Sequence, residues 1–145
     1  MANWLAFWAD AWPTLQRVLV LALGGAAGTN ARYWLSVWAG SQPWARGLPF
    51  GTLFINVSGS FILGAASVLF LERLPPDYRN WYLLVGTGFC GGYTTFSTFE
   101  YETLRLLQDG ESLWASLYVL ASVGAGFVAV VAGVVLVNLL LPRRW

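Results

Sequence analysis

Residues 91–102 read GGYTTFSTFEYE, and they interrupt a segment that is otherwise apolar. A plain membrane-spanning helix would place Leu, Val and Ile here. This stretch instead carries a glycine pair (Gly91, Gly92), hydroxyls at Thr94, Thr95, Ser97 and Thr98, and two phenylalanines three apart, Phe96 and Phe99. The glycines weaken a helix, because each loses more chain entropy on ordering than any other residue. The Thr94 and Thr95 hydroxyls compete for backbone carbonyls. Non-helical backbone at membrane depth persists only where it is buried in protein or lines a polar cavity. A break here would leave carbonyls free to hold a cation, with half-helix dipoles adding to the field. A continuous helix with a glycine packing notch is the competing reading.

The setting is a membrane. Of 145 residues, 57% are hydrophobic and 10% charged, against roughly 25% charged in a soluble domain. All 8 basic residues are arginine and histidine is absent. Histidine acid–base chemistry, histidine metal ligation and lysine Schiff bases are thereby excluded, and nothing in the chain suggests an enzyme. Cys90 stands alone, so neither an intrachain disulfide nor a multi-cysteine metal site can form. A net charge of +1 argues against nucleic-acid binding, which needs a basic patch or stripe.

A spanning helix takes about 20 apolar residues. Four stretches qualify: about 15–38, with Arg32 inside it; 50–71, uncharged; 81–99, continuing as helix to 107; and 112–141, uncharged. The expected fold is an all-α membrane domain of four helices over residues 15–145, behind an N-terminal tail of residues 1–14. That tail lacks the basic start of a signal peptide and carries Asp10. Its Trp4, Trp8 and Trp12 recur at helical spacing, which suits either an interfacial amphipathic helix or a frayed tail with indole anchors. Trp34, Trp38, Trp44, Trp81, Trp114 and Trp145 fall near the span borders, where indole favours headgroups. Pro75 and Pro76 stop the second helix and Asp109-Gly110 marks a turn. Arg17, Arg73, Arg79, Arg143 and Arg144 lie on the side of the termini, against Arg46 and Arg105 opposite. The positive-inside rule then favours cytoplasmic termini, with insertion in both directions left open by so small a bias.

Four short helices enclose little volume. Gly24 with Gly28 and Gly88 with Gly92 form small-xxx-small pairs, and Gly124, Gly126 and Gly133 keep the fourth helix thin. Such residues let helices approach closely in lipid. Packing within one subunit accounts for some of them, and a tightly packed homodimer is the expectation for the rest.

The polar residues within the spans are few. Asn56 lies deep in FGTLFINVSGSFILG, where an unpaired amide costs several kcal/mol (~2–7). It must find partners in the bundle or in a wet pathway. Ser58 and Ser60 can bond back to their own helix. Phe96 and Phe99 share a helical face, with Thr95 and Thr98 on a neighbouring one. Such a pair serves either as core packing or as positive ring edges facing an anion. Arg32 can snorkel to the interface or draw anions into a vestibule. Glu100 and Glu102 follow near a pore mouth or an interface. No Asp, Glu, Lys or His occupies the centre of a span, which suits passive conduction of a small ion better than proton exchange.

Three segments together resemble the Fluc (CrcB-type) fluoride channels: GGAAGTNARYW in the first helix, GTLFINVSGSFILG in the second, and GFCGGYTTFSTFEYET in the third. The resemblance covers nearly the whole chain after the tail. It implies a dual-topology homodimer of four-helix subunits packed antiparallel, a broken third helix, and two fluoride pathways. It also implies fluoride export for resistance across a bacterial inner membrane. A structural sodium ion would sit at the dimer interface on the backbone carbonyls of Gly91 and Thr94 from each subunit. On the same resemblance the fluoride pathway would comprise Asn56, Phe96, Phe99, Thr95, Ser97, Thr98, Tyr118 and Ser122, with Arg32 at the vestibule and Glu102 after the motif. Glu100 departs from the family's frequent serine, and Gly124 and Gly126 stand where other members offer hydroxyls. Two other functions compete. A proton-coupled multidrug exporter would want a deep carboxylate in the first helix, and none is there. A non-transporting scaffold would leave Asn56 and the hydroxyl–aromatic run without purpose.

Overall fold

The computed structural model describes residues 4–43 and 47–142, with side chains from Trp12 onward. The readings of Trp44, Arg46, Arg143, Arg144 and Trp145, and of the Trp4 and Trp8 side chains, lie outside the described residues. All regular structure among those residues is helical. Helix α1 (Trp4–Gly40) runs 37 residues without interruption through Pro13, about 55 Å at 1.5 Å per residue. It therefore extends well past a bilayer core of ~30 Å, and the chain ahead of residue 15 continues the helix without a boundary.

Helix α2 (Phe50–Ser67) continues as a wider π-turn over Val68–Arg73. It stops where Leu74 turns extended (φ −97°, ψ 156°), because a residue preceding proline is pushed out of the helical region. The chain re-enters through Pro76–Tyr78, α3 (Arg79–Tyr82), a π segment (Leu83–Phe89) and α4 (Cys90–Tyr93). After two extended residues, α5 (Phe96–Gln108) leads into α6 (Ser112–Leu140). The α5–α6 turn closes on Gly110 at φ +80°, where the Glu111 N–H reaches the Leu106 carbonyl and the Gly110 N–H that of Leu107. This is the left-handed glycine stop that its sequence announces.

Among the described residues, two stretches are long and apolar enough to span: Phe50–Arg73 at mean hydropathy 1.9 and Ser112–Leu140 at 2.5. Only 6% of the latter's apolar window is buried, unlike the core helix of a soluble protein. Leu120, Phe127 and Leu139 point outward accordingly.

The bundle closes in two pairs, α1 along Leu83–Tyr93 and α2 along α6, with α5 folded onto α6. Glycine makes both pairs possible. A Cβ on Gly24 would lie 2.2 Å from the Leu84 carbonyl oxygen, and one on Gly28 2.1 Å from that of Phe89. On the other pair, Gly64 and Gly133 would each place a Cβ 2.3 Å from a backbone oxygen, of Val130 and Phe61 respectively. The small-xxx-small pairs thus close the subunit on itself. Gly91 and Gly124, by contrast, face open space. A small core of Phe99, Leu106, Ala115 and Tyr118 knits α5 to α6.

Candidate functional site

The third rod is interrupted at Thr94 (φ −77°, ψ 159°) and Thr95 (φ −150°, ψ 115°), two residues beyond the glycine pair, which is itself helical. Both residues are β-branched and accept extended backbone readily. The Thr95 hydroxyl then starts α5 by accepting from the Thr98 N–H at 3.3 Å, while donating to the Thr98 hydroxyl at 2.9 Å. Thr94 returns its own hydroxyl to the Cys90 carbonyl at 2.9 Å.

Asn56 holds the interruption in place. Its Oδ1 accepts from the Thr95 N–H at 2.8 Å and its Nδ2 donates to the Thr95 carbonyl at 3.1 Å. One amide thereby satisfies both main-chain groups of an extended residue, as a neighbouring strand would. Three carbonyls change partners in consequence. Gly91 loses its ladder donor, the Thr95 N–H, to Asn56. Thr94 loses its own, the Thr98 N–H, to the Thr95 hydroxyl. Gly92 instead receives the Arg32 Nε–H at 3.1 Å. The backbone oxygens of Gly91 and Thr94 are therefore released from the ladder, a neutral oxygen pair of the kind that suits a hard cation.

Close packing supports the same geometry. A Cβ at Gly59 would fall 2.3 Å from the Thr94 Cγ2, so only glycine on α2 leaves room for that threonine. Tyr93 is buried, stacked 5.3 Å from Phe89, with its hydroxyl 3.0 Å from that of Ser58.

Beside the break lies a cavity of about 370 Å³, lined among others by Asn56, Ser60, Gly91, Thr94, Thr95, Phe96, Phe99 and Ser122. Among the described residues, no charged side chain lines it. The Phe96 and Phe99 rings lie 5.7 Å apart at 44°. Phe99 is buried and leans on Tyr118 at 5.2 Å, whereas Phe96 is 70% exposed in the single chain. Past Phe99, the Glu102 carboxylate accepts from the Thr52 hydroxyl at one oxygen and from the Tyr118 hydroxyl at the other, both at 2.8 Å. Glu102 also opens onto a separate, shallower pocket with Arg105 and Asp109.

The residues singled out in sequence sort accordingly. Asn56, Gly91, Thr94, Thr95, Phe96, Phe99 and Ser122 converge on the cavity, Thr98 is one hydrogen bond behind it, and Tyr118 and Glu102 continue beyond Phe99. Ser97 is exposed and outside the lining, and Arg32 is committed to Gly92 away from it. Thr52 escaped notice in the sequence. It sits one turn before Asn56 on the same face of α2, a spacing that does carry the signal, and its side chain is buried.

Known proteins resemble this chain over most of its length. The family model described as CrcB-like protein, Camphor Resistance (CrcB), matches residues 19–134. A fluoride-specific ion channel FluC from a Sulfurihydrogenibium species is 42% identical over 126 residues, 87% of this chain and 100% of the relative. The protein of the same name from Chlorobaculum tepidum is 44% identical over 128 residues, 86% of this chain and 97% of its own. That from Erwinia tasmaniensis is 43% identical over 126 residues, 87% and 98% respectively.

Proposed function

This chain belongs to the CrcB-like fluoride-channel family, a family of non-enzymatic transporters, and from that premise we propose that it is a passive, fluoride-selective channel. The observation that carries the reading is the cavity beside the break, walled by neutral donors and aromatic rings, with no charged side chain among the described residues. Fluoride is small and strongly hydrated, so a narrow path must replace water with closely placed donors. A fixed ring of arginines would hold the ion too firmly to release it; conduction needs moderate sites in series. An amide nitrogen has two N–H donors, and Asn56 spends one on the Thr95 carbonyl, leaving the other for an anion. Among the described residues, the Ser122 hydroxyl is buried without a hydrogen-bond partner. The edges of Phe96 and Phe99 add weak positive potential, and the path continues towards Tyr118 and Glu102.

The same proposal pairs two copies antiparallel in the membrane. Gly91 and Phe96 are exposed in one chain, and a second copy would cover them. The released Gly91 and Thr94 carbonyls give two oxygens per chain and four per pair, the donor set that would hold a structural sodium ion. Bound there, sodium would supply a fixed positive charge beside the path. Its physiological setting would be a bacterial inner membrane, crossed several times, with fluoride leaving the cell as a means of resistance.

Efflux from liposomes containing the purified protein, followed with fluoride and chloride electrodes, tests the reading. Rapid fluoride release with chloride retained is expected. Retention of both ions by folded protein would refute it.

A further inference from the structure

Hydroxyls in a spanning helix ordinarily turn back onto their own backbone, because no water is available to them. Several hydroxyls of this chain follow that habit. Ser58 donates to the Phe54 carbonyl, Ser67 to Leu63 and Thr103 to Phe99, at 2.7, 2.8 and 2.8 Å. Ser60 departs from it. It lies one turn beyond Asn56 on α2 and is half-buried, yet among the described residues its hydroxyl has no hydrogen-bond partner. It lines the same cavity as Asn56 and Ser122. Across from it stands Gly126 of α6, whose missing Cβ would lie 3.7 Å from the Ser60 oxygen, an ordinary contact distance. The glycine leaves a place on α6 without a side chain, and the α2 hydroxyl faces that place.

We infer that Ser60 is an ion-contacting residue of the pathway, supplying from α2 the hydroxyl that α6 lacks at Gly126. Together with the spare N–H of Asn56 and the unpartnered Ser122 hydroxyl, it makes a three-donor site from two helices. Each donor is free of the backbone, so none must break an internal hydrogen bond to meet a desolvated anion. The ligand class is a small, hard, monovalent anion. A larger or softer one gains less from hydroxyl and amide donors for the water it sheds. This inference rests on the channel reading above and extends it to one more residue.

The test is single-channel fluoride current in planar bilayers for the parent protein, Ser60→Ala, Gly126→Ser and the double variant. Ser60→Ala should lower conductance by about 10- to 100-fold, the worth of one hydrogen bond to a charged group. Gly126→Ser alone should conduct within about twofold of the parent, since nothing but the Ser60 hydroxyl stands near its side chain. In the double variant the hydroxyl returns from the opposite helix, and most of the lost conductance should return with it. That rescue is what a merely structural serine would not produce. Undiminished current in Ser60→Ala would overturn the inference while leaving the channel reading intact. A loss that Gly126→Ser fails to restore would assign Ser60 to packing and overturn it equally. Absence of fluoride current in the parent would refute the channel reading, and this inference with it.

Discussion

Replacing Asn56 with alanine should destabilise the fold as well as the pathway, and the cost follows from two hydrogen bonds. The amide accepts from the Thr95 N–H at 2.8 Å and donates to the Thr95 carbonyl at 3.1 Å. Stranding a buried polar group costs about 1–3 kcal/mol, so losing both partners gives about 2–6 kcal/mol. Relaxation offers one way back. The freed Thr95 N–H can return to the Gly91 carbonyl, its helical partner four residues earlier, which recovers one bond and leaves about 1–3 kcal/mol. Closure of the break would also withdraw the Gly91 oxygen from any cation. Reversible unfolding of the purified protein in mixed micelles measures the first effect, and fluoride flux the second. Asn56→Asp provides the internal comparison: it keeps an acceptor for the Thr95 N–H but sets a second acceptor against the Thr95 carbonyl. It should be no more stable than alanine, because a desolvated carboxylate then opposes the Thr95 carbonyl, and it should conduct no fluoride, because that carboxylate faces the anion. An alanine variant within about 0.5 kcal/mol of the parent, the scatter of neutral surface changes, would refute the view that Asn56 holds the break open.

Phe96→Ile should leave the fold of the single chain intact, since the ring is 70% exposed there, while reducing fluoride flux; normal flux would remove the ring edges from the mechanism. Gly28→Ala drives a methyl to within 2.1 Å of the Phe89 carbonyl oxygen and should cost about 1–3 kcal/mol as an overpacked contact. Gly124→Ala meets nothing within 4 Å and should be neutral or stabilising by up to about 1 kcal/mol from helix propensity; equal losses in the two variants would contradict the packing described. Tyr118→Phe removes one of the two hydroxyls donating to Glu102 and should cost about 1.5–3 kcal/mol as a bond to a charged group, read from the same unfolding titration.

Much of the fold was legible because lipid imposes a simple demand on sequence: long apolar runs, aromatic borders, and punctuation by proline and glycine. Pro75-Pro76 and Asp109-Gly110 end helices where their chemistry requires it. The glycines were legible as contact residues but not as to their partners. Gly24, Gly28, Gly64 and Gly133 meet backbone within the same chain, and nothing in a small-xxx-small pair distinguishes that from a second copy. The start of α1 was obscured by Pro13, which removes one ladder bond without ending the rod.

Asn56, Thr95, Phe96, Phe99 and Ser122 stood out in the sequence and line one cavity, Ser97 and Arg32 lie outside it, and the division of labour among them was illegible. Asn56 reads in sequence as a polar group that must find a partner, and a pathway amide is a natural answer. Its actual partners are the two main-chain groups of Thr95, 39 positions away, and backbone atoms leave no mark in a sequence. The consequence is physical: one acceptor and one donor of the amide shape the chain, and a single N–H remains outside those two bonds. A residue so divided explains why the break falls at Thr94 and Thr95 and not at Gly91 and Gly92. Glycine makes extended backbone possible, but it supplies no group to hold it, whereas a β-branched pair facing an amide has both the preference and the partner. Position is set by the residue that satisfies the broken ladder, and flexibility alone does not choose it.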